Sequence, residues 1–377
     1  MKLEMNSMLN KKLNLFDKFI LITNFIFSLF LLVSYLSPST DPRLYWIIAF
    51  LGLYFLFLLL INLIFIIYWL IRKKIYALIS IGCILLGFKI LMMNFGLRAP
   101  HSSEKKPSSE YIRTLAFNVH GFTGIGDLEG VPDKTEILRL INSSKPDIVS
   151  IEEFSVNMFN SKTIFAGLEK IVNSDNYYFK PYEIASWDTS GLAIFSRYPI
   201  INHGSVMPVN SEIEAQNIFV DIKYANEVIR IYCLHLQSTR FAEEDHQYLK
   251  NLSKYGKVSI PDLKRINSKL KMAFIKRSME VSLVKQNMAK CPYPYIVQGD
   301  FNDTPSSFSV NQIGKGLKNA FIEKGSGFGF TYYGDFPNFQ IDYILASPQF
   351  NIMGYTVIKK KLSDHYPILS DLLLTSK

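Results

Sequence analysis

Three long apolar runs fill most of the first hundred residues and constrain the fold of this chain more than any other feature. They span Phe19–Leu36, Leu44–Leu70 and Ile75–Leu97, and the second contains no charged residue. As a helix, each run is long enough to cross the roughly 30 Å hydrocarbon core of a bilayer. The whole chain is 49% hydrophobic and 19% charged, which indicates a membrane portion plus a globular one. We therefore predict a membrane domain at residues 1–97, with transmembrane helices near 19–36, 44–70 and 75–97.

A cleaved signal peptide is the alternative interpretation of the first run, which follows Lys11, Lys12 and Lys18. The run is longer than the roughly 7–15 apolar residues of a signal peptide, and the following SYLSPSTDPR has no A-x-A-like cleavage site. An uncleaved anchor is therefore favoured. Lys89 lies inside the third run, where its long side chain can reach the polar interface.

Basic residues in the tail and the short loops predict the orientation of these helices. The first loop, SPSTDPR, balances one Arg with one Asp, whereas the tail and the second loop are basic through Lys2, Lys11 and Lys12, and Arg72, Lys73 and Lys74. Because Lys and Arg in short loops stay on the cytoplasmic side, the tail and second loop are predicted to be cytoplasmic. Three crossings then place everything after about residue 98 outside, in a multi-pass protein of the cytoplasmic membrane.

The formal net charge of +9 suggests a nucleic-acid binder, but it is unevenly distributed. Residues 1–100 hold ten of the 41 Lys and Arg and three of the 32 Asp and Glu. The remainder has 31 basic and 29 acidic residues, a net charge of +2. Most of the excess of basic residues therefore lies in the predicted membrane domain, where it indicates the orientation of the helices. The electrostatic argument for a polyanion partner is weak.

The segment RAPHSSEKKPSSE, residues 98–110, is polar and rich in Ser and Pro, which predicts a linker. Residues 111–377 alternate strand and helix patterns over a length that suits one domain. Helices are predicted near Asp133–Ser143, Ser161–Val172 and Pro261–Ala289, and a mixed αβ sandwich is the natural packing. Arg240–Lys257, which carries four basic and three aromatic residues, is either a polyanion-binding segment or a solvated loop.

Polar side chains lie at the edges of six of the predicted strands, with Asp364 and His365 placed just before the last one. Each could be a turn or cap residue when taken alone. Together they supply what hydrolysis of a phosphoester requires: oxygen ligands for Mg²⁺, with Mn²⁺ as the alternative, and histidines that transfer protons near pH 7. The stretches are LAFNVHG with Asn118, DIVSIEEF with Glu152 and Glu153, CLHLQS with His235, VQGDFNDTP with Asp300 and Asn302, QIDYIL with Asp342, and LSDHYPI with Asp364 and His365.

These stretches, together with SGLAIFSRYPI, stand in the order found in the endonuclease/exonuclease/phosphatase superfamily, which residues 111–374 resemble. The group includes deoxyribonucleases, abasic-site endonucleases, neutral sphingomyelinases and inositol polyphosphate 5-phosphatases. The resemblance implies an α/β fold, a four-layer α-β-β-α sandwich of two mixed sheets, which would follow the three transmembrane helices. It also implies a divalent-metal site where the strand ends converge.

Carried over position by position, the resemblance makes Glu153 the principal metal ligand, with Asn118 beside it and Asp364 assisting. Glu152 occupies a place usually held by glutamine, which leaves open which acid of the pair faces the metal. The acid that would orient the first histidine is also open, with Glu183 and Asp188 as candidates.

The remaining residues receive catalytic roles from the same resemblance. Asp300 and Asn302 would orient the attacking water and a phosphate oxygen. His365, oriented by Asp342, would act as general base or phosphate contact, and His235 would stabilise the transition state or the leaving group. Cys233 is predicted to be a buried thiol, although a disulfide with Cys291 is not excluded by the sequence.

The sequence thus predicts a membrane-anchored, Mg²⁺-dependent phosphoric ester hydrolase whose catalytic domain is extracytoplasmic. A lipid or small phosphoester is the favoured substrate, because a nearly neutral domain is tethered beside the lipid bilayer. An extracytoplasmic nuclease acting on DNA or RNA is the alternative. A binding module that has abandoned catalysis is the third hypothesis, since a fold does not guarantee its chemistry.

Overall fold

The computed structural model describes residues 13–100, 106, 108–122, 134–157, 159–185, 188–206, 216–334 and 338–375. The chain divides into two compact units. The first contains the described residues up to Asn94 together with Thr304–Asn311, and the second contains the rest. Lys2, Lys11 and Lys12, the predicted helix start at Asp133, and residues 101–105 and 107 of the predicted linker lie outside the described residues.

Apolar helices make up the first unit. Among the described residues, α1 is the one helix whose length and composition suffice to cross a membrane, and the number of candidate spans rises to three if each of two bent pairs is counted as one. The pair α2 and α3 is bent by 50°, and the pair α4 and α5 by 69°. The helices are α1 (Leu15–Ser34), α2 (Pro42–Leu53), α3 (Phe55–Ile71), α4 (Ala77–Leu86) and α5 (Phe88–Asn94).

The second and third predicted spans are therefore not continuous helices. The break between α4 and α5 falls at Gly87, where a Cβ atom would lie 2.1 Å from the ring of Tyr35. That ring is held in place because Tyr35 Oη donates to the carbonyl of Cys83 at 3.0 Å. The third run also ends early. Residues Phe95–Leu97 form strand β1, which pairs with β11 (Ser326–Phe328), a partner that apolar patterning alone cannot reveal.

A buried polar network joins the helices of the first unit. Asn24 Nδ2 donates to Ser80 Oγ at 2.7 Å, and Asn24 Oδ1 accepts from Trp69 Nε1 at 3.0 Å. Asn62 Oδ1 accepts from Ser28 and Ser80, each at 2.9 Å. Hydrogen bonds of this kind between apolar helices favour close association where water is absent.

Two six-stranded mixed sheets form the second unit. In the first sheet the order is β13-β14-β2-β3-β5-β4, and in the second it is β10-β12-β9-β8-β7-β6. The strands are β2 (Ile112–Asn118), β3 (Ile148–Val156), β4 (Asn176–Ile184), β5 (Thr189–Ser196), β6 (Ile200–Ser205), β7 (Gln216–Tyr224), β8 (Glu227–His235), β9 (Tyr295–Asp300), β10 (Lys318–Asn319), β12 (Asp342–Ala346), β13 (Phe350–Val357) and β14 (Ile368–Leu374).

The sheets pack face to face, and helices cover their outer faces. Ile112 and Ile194 of the first sheet share a buried core with Ile231 and Ile296 of the second. The other face of the first sheet is covered by α6 and α7, and Tyr232 of the second sheet donates to Asn287 of α9 at 2.8 Å. The predicted α/β sandwich is confirmed. Its helices are α6 (Lys134–Ser144), α7 (Ser161–Val172), α8 (Glu243–Tyr255), α9 (Ile260–Ala289) and α11 (Ala320–Lys324), while α10 (Phe308–Ile313) belongs mostly to the first unit.

Candidate active site

Two pairs of parallel strands bring their carboxyl ends to one place. Strands β2 and β3 run parallel with Asn118 opposite Glu152, and β8 and β9 run parallel with His235 opposite Asp300. The carboxyl ends of parallel strands lie at the same edge of a sheet. The two edges meet because Asn118 Nδ2 donates to both Glu153 Oε1 and Asp300 Oδ2, each at 3.1 Å. The candidate site is thus assembled from both sheets.

A β-bulge in β3 separates the two adjacent glutamates. The pairing register with β5 shifts between Ile151 and Phe154, and Glu153 has a φ of +50°. The bulge turns Glu153 toward Asn118, while Glu152 is fully buried and accepts from the Cys233 thiol at 3.1 Å. Burial raises the pKa of Glu152 well above its ordinary value. Of the pair, Glu153 is therefore the one that lies at the sheet edge, and Cys233 is a free thiol.

Gly299 allows β9 to lie close against β8. It has a φ of +128°, and a Cβ atom there would be 2.2 Å from the carbonyl oxygen of Leu234 and 2.9 Å from Glu152 Oε1. No L side chain fits that space without moving the backbone. The glycine therefore sets the separation of the strands that carry His235 and Asp300.

Asp300 lies between two histidines. The Nε2 atoms of His235 and His365 are each 3.8 Å from Asp300 Oδ2. His365 Nδ1 is 3.0 Å from Asp342 Oδ2. Burial raises the pKa of Asp300 to about 6, although both histidines act in the opposite direction. Burial alone would lower the pKa of His365, but Asp342 and Asp300 raise it well above its ordinary value.

Asn302 and Asp364 border this centre. Asn302, with a φ of +51°, donates its backbone N–H to Asp300 Oδ1 at 2.8 Å and its Nδ2 to the carbonyl of Leu236 at 2.9 Å. Asp364 Oδ1 accepts from Ser363 Oγ at 3.1 Å, and the same hydroxyl donates to the Asn118 carbonyl at 2.8 Å. All eight predicted site residues thus lie along one edge of the second unit.

His120 was not among the residues singled out from the sequence, yet it lies in this group. Its Nδ1 is 3.4 Å from Glu153 Oε2 and 3.7 Å from Asp364 Oδ1. The hydrogen bond with Glu153 raises the pKa of His120. The backbone N–H of His120 donates to Asn118 Oδ1 at 3.0 Å. The signal was present in LAFNVHG, where the histidine stands two residues after Asn118.

The two candidates for an acid beside His235 are placed differently. Asp188 accepts hydrogen bonds from Ser155 Oγ and from the backbone N–H of Thr189. Glu183 is exposed on β4, next to a shift in the pairing register with β5. His235 Nε2 lies 3.6 Å from Glu153 Oε1 and 3.8 Å from Asp300 Oδ2.

The donor set fits a hard divalent cation. Glu153 Oε2 and Asp364 Oδ1 lie 3.4 Å and 3.7 Å from the same atom, His120 Nδ1, so the two carboxylates are close together. Neighbouring carboxylate oxygens suit Mg²⁺, which retains several waters and needs few protein ligands. A second group, Asp300, Asp342 and His365, offers ligand atoms within 4.8 Å of one another. The structure thus contains two neighbouring groups of potential ligands. The sequence-based prediction placed the metal ligands only in the group with Glu153 and Asp364.

Fold and site together define a two-sheet αβ sandwich with carboxylates and histidines at converging strand ends. Residues 115–365 match the Endonuclease/Exonuclease/phosphatase family, and this chain belongs to that family. Residues 17–93 match a domain of unknown function. None of the curated proteins compared with the chain matches it.

Solved structures similar to this chain include an endonuclease/exonuclease/phosphatase from Beutenbergia cavernae. It has a TM-score of 0.50 and 15% identity, with 71% of this chain and 72% of that one covered. The human Nocturnin catalytic domain with bound sulfate has a TM-score of 0.48 and 17% identity, with 74% and 96% covered. Humanized D. rerio TDP2 has a TM-score of 0.47 and 14% identity, with 70% and 99% covered. At these identities the likeness concerns the fold.

Proposed function

We propose that this chain is a membrane-anchored, divalent-metal-dependent phosphoester hydrolase with residues 111–377 as its catalytic domain. The observation that carries the proposal is the position of Asp300, whose Oδ2 lies 3.8 Å from Nε2 of both His235 and His365. A carboxylate flanked by two histidines can orient a water and transfer its proton near neutral pH. Membership of the family supports the reaction class, since its members are hydrolases that act on phosphoesters.

Glu153, Asn118 and Asp364 are the residues we assign to Mg²⁺ or Mn²⁺. A bound ion would supply charge neutralisation at the phosphoryl oxygens. Asn118 is already bonded to Glu153 and Asp300, so the same amide that borders the metal ligands also fixes the position of Asp300. Asn118 therefore links the proposed metal ligands to Asp300 and holds them at a fixed separation.

Proton transfer is assigned to the remaining residues. The contact between His365 Nδ1 and Asp342 fixes the ring, so that Nε2 is directed toward Asp300. We assign Asp300 and Asn302 to orientation of the attacking water and a phosphoryl oxygen. His365 is assigned to phosphate binding, since its raised pKa favours the protonated ring, and His235 to stabilisation of the leaving oxygen.

The substrate we favour is a lipid or another small phosphoester. Residues 101–377 carry a net charge of only +2, which gives little general attraction for a nucleic acid. Helix α1 is long and apolar enough to hold the chain in a bilayer, next to phospholipid headgroups. A nuclease remains the alternative, and it predicts a different substrate preference.

Hydrolysis of bis-p-nitrophenyl phosphate by the purified full-length protein tests the reaction class. We expect turnover with Mg²⁺, its loss with a chelator, and a reduction of about 10²-fold or more in His235→Ala, the usual effect of removing a proton-transfer group. His203→Ala is the matched control, because His203 is exposed on β6 and stacks on Tyr178. Unchanged turnover in His235→Ala would refute the assignment.

Phospholipid vesicles and plasmid DNA, offered side by side to the same preparation, separate the substrate classes. Phosphate or headgroup release from the vesicles is the expected result. A preference for DNA that weakens steeply with added salt would overturn the substrate ranking.

We further propose that the helices of the first unit hold the protein in the cytoplasmic membrane and that the catalytic domain faces away from the cytoplasm. The basic residues Lys73 and Lys74, directly after α3, support this orientation through the charge rule for short loops.

A further inference from the structure

Helices α8 and α9 form a hairpin whose free end lies at residues 249–265, here called the hairpin tip. Asp245, in the first turn of α8, accepts from Arg265 Nε at 2.7 Å and pairs with Lys269, both on α9. The two helices therefore run antiparallel from this ion pair. Helix α8 ends at Gly256, which has a φ of +64°, and Ser259 caps the start of α9.

No residue of the hairpin tip is buried, and all of its positions are described. The buried face of α9 begins only afterwards, with Ile266, Leu270 and Phe274. Yet the tip carries large apolar side chains. Tyr255, Val258 and Ile260 are 60%, 64% and 58% exposed. Several large apolar side chains exposed within one short segment are typical of an interaction surface.

The same segment is locally basic. Residues 246–261 contain no Asp or Glu, and Lys254, Lys257 and Lys264 are exposed in the same segment as the apolar side chains, with Lys254 Nζ 5.2 Å from the centre of the Tyr255 ring. Asp262, the first acid that follows, pairs with Arg265 at 2.7 Å. Because residues 101–377 together carry a net charge of only +2, this concentration of lysines is a local feature.

We propose that the hairpin tip docks on the surface of an anionic lipid bilayer. Tyr255, Val258 and Ile260 enter the boundary between headgroups and acyl chains, and the lysines contact lipid phosphates. Exposed apolar side chains with lysines nearby in the same segment have the chemistry of interfacial membrane binding. This inference concerns attachment and does not depend on the proposed catalysis.

Two other occupants fit the tip less well. A nucleic acid would attract the lysines, but Val258 and Ile260 would gain nothing from its phosphates, and Arg265 is already engaged by Asp245 and Asp262. A second copy of the chain would bring like charges together, which opposes association through this surface. The bilayer alone satisfies both the apolar and the basic side chains.

Depth-dependent quenching of a label on the full-length protein tests the proposal. Val258→Cys is made in a Cys291→Ser background, since Cys83 and Cys233 are buried, and is labelled with a fluorophore. The protein is reconstituted in vesicles of phosphatidylcholine, with or without phosphatidylglycerol, that contain a doxyl-lipid quencher. We expect strong quenching in the anionic vesicles. The label at Ile201→Cys, exposed on β6, is the matched control and should remain unquenched.

Charge reversal separates lipid docking from accidental proximity. Lys254→Glu, Lys257→Glu and Lys264→Glu combined should reduce quenching of the Val258 label to the level of the Ile201 label, with an unchanged thermal unfolding midpoint. Ile22→Cys on α1, 60% exposed, reports reconstitution in every sample.

Three results would overturn the proposal. The first is equal quenching of the labels at Val258 and Ile201 while the Ile22 label is quenched. The second is a response of the Val258 label to duplex DNA but not to anionic vesicles, which would assign the tip to nucleic acid. The third is a response that depends only on protein concentration, which would assign it to a second copy. None of these readouts uses phosphoester hydrolysis, so failure here is distinguishable from failure of the proposed function.

Discussion

Glu280 is a buried carboxyl group on α9 that contacts the chain just beyond His235. Its Oε2 accepts the backbone N–H of Gln237 at 2.8 Å. Burial raises its pKa to about 7, although the Gln237 hydrogen bond and the nearby Arg277 both favour the charged form. The segment that follows β8 is therefore supported by a group that changes charge near neutral pH.

The raised pKa of Glu280 predicts a loss of stability as the pH rises. The unfolded carboxyl loses its proton near pH 4.5 and the folded one near pH 7. Between these values the folded state binds the extra proton, so the free energy of unfolding falls with increasing pH, by up to about 3 kcal/mol. The Glu280→Gln variant lacks the titrating carboxyl group, so it should be more stable than the original protein above pH 7. Thermal unfolding of both proteins at pH 5 and pH 8 measures the difference.

Glu227→Gln serves as the control for this prediction, because Glu227 is an exposed carboxylate at the start of β8. Its pH profile should follow that of the original protein. Parallel profiles for Glu280→Gln and the original protein would contradict the prediction.

At the level of single residues, the sequence identified most of the side chains of the candidate site but not how they are arranged in space. The run VQGDFNDTP allowed Asp300 and Asn302 to be predicted, because polar residues at the end of an apolar strand can be recognised in the sequence. The choice between Glu152 and Glu153 could not be made, since it depends on a positive φ inside a bulge. His120 was missed because its relevance comes from two carboxylates that are distant in the chain.

Among the elements, α9 holds the two segments that follow β8 and β9. Arg277 donates from Nη1 to the Gln237 carbonyl at 2.9 Å, and its Nε lies 3.1 Å from Asp303 Oδ2. Arg277 and Asp303 are both almost fully buried. We interpret Arg277 as a positioning residue, since it contacts the Gln237 carbonyl after β8 and the Asp303 carboxylate after β9 rather than the reacting groups.

Replacement of Arg277 by methionine should destabilise the second unit by about 3–5 kcal/mol, because it leaves a carboxylate buried without its guanidinium partner. Lys276→Met, at the exposed neighbouring position, should be nearly neutral. Thermal unfolding of both variants provides the comparison. If their unfolding midpoints agree, Arg277 does not hold these segments.

Elements with a strong periodic pattern of apolar residues were predicted well. Elements that depend on pairing with a neighbouring strand or helix were not. The helix predicted at Pro261–Ala289 is observed as Ile260–Ala289, and Ser161–Val172 is unchanged. Helix α8 was expected as a loop, because its sequence is polar and only Asp245 and Tyr248 become buried. The strands β4, β6, β10 and β13 were not predicted; all four lie at the edges of the two sheets, where a strand pairs with only one neighbour.

For the whole molecule, composition alone separated an apolar first portion from an αβ sandwich. It could not show that the second and third apolar runs bend, because the Tyr35 ring that lies against Gly87 follows α1 and is distant in the chain. The number of crossings also fixes the side of the membrane on which residues 111–377 lie.

Alkaline phosphatase fusions test the proposed topology, because the reporter is active only outside the cytoplasm. With three crossings, a fusion after Lys74 should be inactive and one after Pro100 active, since Lys73 and Lys74 hold the second loop in the cytoplasm. Activity at both positions would indicate that α1 alone crosses the membrane. Inactivity after Pro100 would place the catalytic domain in the cytoplasm.

Gly299 has a consequence for how relatives of this chain should be interpreted. An alanine at this position would push apart the backbones of β8 and β9, yet every acid, amide and imidazole of the proposed site would still be present in the sequence. Such a homologue would look like an active enzyme in a motif search and behave as a pseudoenzyme in the test tube. The presence of glycine at this position is thus as informative about catalytic activity in a relative as the proposed catalytic side chains themselves.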